Sequence, residues 1–183
     1  MIQLTTIEQS IINTMREFEA SASGILKNNA PWTRGIKRRL YDLGCKYDYT
    51  ICASGLDGDS EAEWLYDVVW YKEDGKGQDA RLVDVPMIAE CEWNAGIGHI
   101  KYDFEKLLLG NAPLRVMICQ ATTDTMQATK DYFADAIDKY PYNSRDARFL
   151  IIILETTSET FNYMLITNGE NHELQTHLKQ LHT

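Results

Sequence analysis

Apolar residues recur at three- and four-residue steps from the start of the chain: Ile7, Ile11, Met15, Phe18, Ala22 and Ile25. That spacing places one buried stripe on a helix beginning near Thr6. Thr5 and Glu8 have the spacing of a capping box, in which two side chains satisfy the free amides of a helix start. Asn28, Asn29 and Pro31 interrupt the pattern. A second, shorter helix is predicted from about Trp32 to Leu43, ended by Gly44.

The period then changes to that of strands. Tyr47–Ala53, Trp64–Tyr71 and Leu82–Trp93 read as three strands, with SGLDGDSE as a loop and EDGKG as a hairpin signal between the second and third. After AGIG, the residues Ile100, Phe104, Leu107 and Leu108 mark a third helix, stopped by Gly110, Asn111 and Pro113. Leu114–Gln120 is a strand, Thr123–Tyr140 a helix closed by Pro141, Phe149–Glu155 an almost wholly apolar strand suited to a sheet centre, and Tyr163–Thr167 a last strand. The tail from Glu170 is read as helical. Three successive strands imply antiparallel pairing, and the strand–helix–strand connections imply parallel pairing. The expectation is one α/β domain over residues 1–183, with a mixed central sheet flanked by helices.

Composition narrows the function classes. With 44% hydrophobic and 25% charged residues the chain is an ordinary globular one, not a disordered or fibrous one. No apolar run reaches the roughly 18–20 residues of a membrane span. The opening MIQLTTIEQS has no basic region ahead of an apolar core, so the expected location is cytoplasmic. Cys45, Cys52, Cys91 and Cys119 lack metal-site spacing and read as buried, reduced thiols. No GxSxG or GxxxxGK[ST] motif is present. A net charge of -9 repels phosphate, so contact with nucleic acid needs a local basic patch. One lies on the second predicted helix and its flanks, where Lys27, Arg34, Lys37, Arg38, Arg39 and Lys46 face Asp42 alone.

Candidate chemistry sits in the strands. Asp67, in WLYDVVWY, is a carboxylate among aromatic and β-branched residues, which is costly to bury without a partner. Glu90 and Glu92, in PMIAECEWN, share one face of a strand while Ala89, Cys91 and Trp93 take the other. Like charges two residues apart persist best with a cation between them. Pairing through the hairpin brings Asp67 to the same place, and three oxygen ligands suit Mg²⁺, or Mn²⁺ in its stead.

A helix, three strands, a helix and a strand, with Asp on the second strand and Glu-x-Glu on the third, resembles the PD-(D/E)xK (restriction-endonuclease-like) nuclease superfamily. The resemblance covers residues 6 to 120, and ECEW followed by YDFEKLLLG is similar to bacterial and phage members of it. It implies that Asp67 and Glu90 bind the catalytic metal and that Glu92 stands where the usual lysine would. Lys106, in DFEK, is then the candidate for a displaced cation. Glu19, Glu61 or Glu63 would be an additional acid, and His99 an additional ligand or base. The implied activity is hydrolysis of DNA phosphodiesters, with Arg34, Lys37, Arg38 and Arg39 holding the backbone. The missing motif lysine and the acidic charge leave an alternative open: an inactive nuclease-fold protein serving as a binding or assembly module, with a protein partner or as a dimer.

Overall fold

A computed structural model describes residues 3–21, 29–56, 64–144, 146–167 and 170–174. The elements are α1 (Thr6–Ser21), α2 (Asn29–Lys46), β1 (Thr50–Ala53), β2 (Val68–Asp74), β3 (Arg81–Glu92), α3 (Ile97–Leu109), β4 (Leu114–Ala121), α4 (Thr123–Lys139), β5 (Arg148–Glu155), β6 (Thr160–Thr167) and β7 (Glu170–Leu174), with one short 3₁₀ turn at Gly77–Asp79. The seven strands form one sheet in chain order. β1, β2 and β3 pair antiparallel, β3–β4 and β4–β5 pair parallel across helical crossovers, and β5, β6 and β7 return to antiparallel pairing. The architecture is α/β, a mixed seven-stranded sheet between two helical layers.

Strand alternation assigns each layer its side chains. On one face Ile11, Met15, Phe18, Trp32, Ile36 and Leu40 of α1 and α2 pack on Trp70, Ala89, Cys91, Val116 and Ile152. On the other, Ile100, Phe104 and Leu107 of α3 and Phe133 and Ile137 of α4 pack on Val69, Ile88, Met117, Cys119 and Ile151. β5 is buried on both faces, as its apolar run requires. The Thr5–Glu8 capping box forms, with Thr5 N donating to Glu8 Oε2 and Glu8 N to Thr5 Oγ1. Ala22 and Ile25 lie outside the described residues, as does the loop 57–63 with Glu61 and Glu63.

Several sequence expectations are corrected. The second helix begins at Asn29 rather than near Trp32, and Pro31 is accommodated in its first turn, where a helix leaves its amides unbonded. Gly44 does not end α2. It lies inside the helix because a Cβ there would meet the Trp70 ring at 2.8 Å and the side chain of Ile51, so glycine permits α2 to press on β1 and β2. Asp67 lies one residue before β2, not within it. Tyr47 to Tyr49 precede β1, and β6 begins at Thr160. The first described residues of the tail form β7, not a helix: Glu170–Leu174 continue the sheet along the free edge of β6. Cys45 is exposed and Cys52 half-buried, whereas Cys91 and Cys119 are buried; all four are free. Among the described residues no helix is long and apolar enough to cross a membrane.

Candidate active site

The site is built where the β2–β3 hairpin meets the α3 crossover. Val68 pairs with Ala89, so the register continued by one residue sets Asp67 opposite Glu90. Asp67 has just left the ladder, and its carboxylate takes over the next ladder bond: Cys91 N donates to Asp67 Oδ2 at 2.9 Å. The other oxygen, Oδ1, accepts from Lys37 Nζ at 2.5 Å and from Ser54 Oγ at 3.2 Å. Lys37 also donates to Ser54 Oγ at 2.8 Å. Asp67 is thus locked in place by β3 behind it and by α2 beneath it.

Glu90 belongs to the opposite layer. It is 1% exposed, and Lys106 Nζ, from α3, lies 2.6 Å from its Oε1. Nζ meets that oxygen without hydrogen-bond alignment. Burial pushes the Glu90 carboxyl up to about 8, against the pull of Lys106 and with a further push from Asp67 and Asp103. Burial works to lower Lys106, but its contacts with Glu90 and Asp103 outweigh it and raise the ammonium above its ordinary value. Asp103, one turn earlier on α3, meets Lys106 Nζ at 3.5 Å and is itself raised by burial, with Lys106 opposing and Glu92 adding to the shift.

The structure therefore sets Asp67 and Glu90 at neighbouring backbone positions, pairs Asp67 with Lys37 and Glu90 with Lys106, and leaves other candidates out. Glu92 shares the face of Glu90 but is half-buried and turned to the backbone, its Oε1 accepting from Asn94 N at 2.6 Å. Among the described residues no three His, Cys, Asp or Glu side chains form a metal-ligand group. The three-carboxylate cluster expected from the sequence is thus not assembled: two acids at neighbouring backbone positions each meet a lysine of a different helical layer. Glu19 accepts from Phe161 N and ties α1 to β6. His99 is exposed at the start of α3, and Lys72 is a hairpin cation 3.9 Å from Asp48.

The basic helix divides as well. Lys37 is buried and belongs to the acidic site rather than to a phosphate-facing surface. Arg39 lies over the Phe18 ring at 4.2 Å and donates to Gly35 O. Arg34 and Arg38 are the exposed cations of the four, with Arg38 lying 5.3 Å from the Tyr41 ring. Lys37 has a legible signal, since it borders the Trp32–Ile36–Leu40 stripe and so sits where α2 enters the core. Asp103 has one too, three residues before Lys106 on the same helix. Ser54 has none.

The Lys37–Asp67 pair carries a stability prediction. Lys37→Met leaves the Asp67 carboxylate, 18% exposed at its side chain, to the Ser54 hydroxyl and the Cys91 amide. A loss of about 1–3 kcal/mol is expected in urea unfolding. Adding Asp67→Asn should return part of it, because an isolated charge is removed; a double variant weaker than the sum of both single losses contradicts the pairing.

Scans against protein-family models, curated proteins and solved structures return no match for the chain.

Proposed function

We propose that this chain is a metal-dependent nuclease of the PD-(D/E)xK type, in which Asp67, Glu90 and Lys106 fill the roles of the two metal-site acids and the lysine. One observation carries the reading. The lysine missing from the third strand is supplied from the following helix, as Lys106 Nζ 2.6 Å from Glu90. The order helix, β1, β2, β3, α3, β4, with β3 and β4 parallel, supports it.

Two carboxylates on adjacent backbone positions fit Mg²⁺, or Mn²⁺, which uses one or two protein carboxylates and keeps several waters. When bound, such a metal polarises a phosphodiester oxygen and lowers the pKa of an attacking water. The protein's own share is positional. The Cys91 amide and Lys37 hold Asp67 fixed, and β3 holds Glu90 opposite it. Lys106 keeps a positive charge beside the acids, where negative charge develops on a phosphate. The exposed Arg34 and Arg38 on α2 would meet the nucleic-acid backbone, confining binding of a chain of net charge -9 to that face. The substrate is DNA and the setting cytoplasmic.

A second reading is favoured by the charge balance. Each acid already has a lysine, and among the described residues no third ligand joins them. That arrangement suits an inactive nuclease fold acting as a binding or assembly module. Mn²⁺ titration beside cleavage assays on supercoiled, linear and single-stranded DNA separates the two. The nuclease reading expects metal binding and cleavage, with Lys106→Met lowering kcat by about 10²–10³-fold while Mn²⁺ binds at least as tightly, because the ammonium that competes for Glu90 is gone. Binding without cleavage on any substrate favours the module. No binding at millimolar Mn²⁺ ends the nuclease reading.

A further inference from the structure

Lys106 sits between two carboxylates of different character. Glu90 comes from the sheet and is almost wholly buried, 2.6 Å from Nζ. Asp103 comes from the lysine's own helix, 3.5 Å from Nζ, with its side chain 18% exposed. The intervening Phe104 is fully buried and fixes the rotation of α3 on the sheet, as do Ile100 and Leu107. Asp103 and Lys106 therefore lie together at the margin of that buried stripe, three residues apart, where helical side chains meet. Neighbouring charges on α3 are engaged elsewhere, Lys101 with Glu105 at 3.5 Å.

We propose that Asp103 is a positioning residue that anchors the Lys106 ammonium on α3 and retains it there when the Glu90 carboxylate is engaged by another cation. The inference rests on the proposed function for its catalytic meaning, but the anchoring itself is a property of the pair. A cation bound by Glu90 removes the lysine's nearer carboxylate and repels the ammonium. Without a second carboxylate a four-carbon side chain, 28% exposed, swings into solvent. Asp103 costs little to recruit, because helix geometry already places it within reach. The acid belongs to the lysine's helix and not to the sheet, so it stays with the lysine whatever happens at Glu90.

The test is a double-substitution cycle on the full chain, read by unfolding midpoint and by activity. Asp103→Asn and Lys106→Met are made singly and together, in the wild-type and Glu90→Gln backgrounds. Glu90→Gln removes the competing charge without any metal. The expected result is a midpoint coupling between the two residues: Asp103→Asn costs more stability with Lys106 present than with Met there, and the coupling is larger in the Glu90→Gln background than in the wild type. In the cleavage assay Asp103→Asn should lower kcat about 10–100-fold at unchanged KM and unchanged Mn²⁺ affinity, as expected for a displaced charge. Asp103→Glu should restore part of it, and Asp103→Asn should add less than twofold to Lys106→Met. Additive midpoints in both backgrounds overturn the anchoring. Weakened Mn²⁺ binding by Asp103→Asn overturns it too, since Asp103 would then be a ligand. A chain that never cleaves DNA refutes the nuclease reading alone, because the midpoint cycle is read without substrate or metal.

Discussion

Replacing Glu90 with glutamine abolishes metal-dependent cleavage and at the same time stabilises the folded chain. Both outcomes come from one cause, a carboxylate placed in the sheet interior at 1% exposure. Activity falls because an amide neither ligates nor neutralises a divalent cation as a carboxylate does; a loss of at least about 10²–10³-fold in kcat/KM is expected. Stability rises because burial disfavours the ionised carboxyl, pushing it up to about 8. Between the ordinary glutamate value of 4.5 and about 8 the folded chain binds a proton that the unfolded chain has released. The favourable contribution of Glu90 is complete below the unfolded value and is lost as pH rises through the folded one. Glu90→Gln should therefore match the wild type near pH 4.5 and exceed it increasingly toward pH 8, levelling off above. On the order of 2–4 kcal/mol is expected at the plateau, reduced by the partner that Lys106 loses. Urea unfolding at pH 5, 7 and 9 for both chains measures it, and a variant less stable than wild type at pH 9 would contradict the buried acid.

Arg148→Met should be the most damaging single change far from the site. Glu8 of α1 is fully buried, and the Arg148 guanidinium at the start of β5 grips it with Nε 2.5 Å from Oε1 and Nη2 2.8 Å from Oε2. The same Nη2 donates to Gln3 O at 3.2 Å. This fork fixes the first turn of α1 to the central sheet, and its hydrogen bonds to Glu8 raise the arginine above its ordinary value. Removing it strands a buried carboxylate beside the Thr5 amide that donates to it. About 3–5 kcal/mol should be lost. Glu8→Gln added to Arg148→Met should recover a substantial part, whereas a loss below about 1 kcal/mol for Arg148→Met alone would mean the pair is effectively solvated. Circular dichroism with urea titration reads both variants.

Pattern alone determined the α/β class, the antiparallel three-strand meander and the presence of some parallel pairing, which the structure assigned to β3–β4 and β4–β5. These follow from local periodicity and from the hairpin signal EDGKG, which together leave few ways to bury β2, β3 and β5. It also placed Asp67 and Glu90 near each other, because antiparallel strands joined by a hairpin set the pairing register within a residue or two. Element ends were less legible. Gly44 reads as a stop until the Trp70 ring beneath it is known, and Glu170–Leu174 read as the start of a helix until the open edge of β6 accepts them as a strand. Propensity is a local quantity, and both outcomes were decided by a neighbour distant in sequence.

Charge partners belong to the tertiary structure. The strand pattern put Glu90 and Glu92 on one face, but only packing buried the first beside Lys106 and left the second capping Asn94 N. A run of cations on α2 looks like one surface in sequence. The helix's rotation on the sheet turns Lys37 inward to Asp67 and leaves Arg34 and Arg38 outward. The physical reason is the same for both: a strand or helix repeat fixes which side a residue takes. The depth to which it is buried, and the opposite charge that meets it there, depend on elements joined through the sheet, 30 residues away in the case of Lys37 and Asp67.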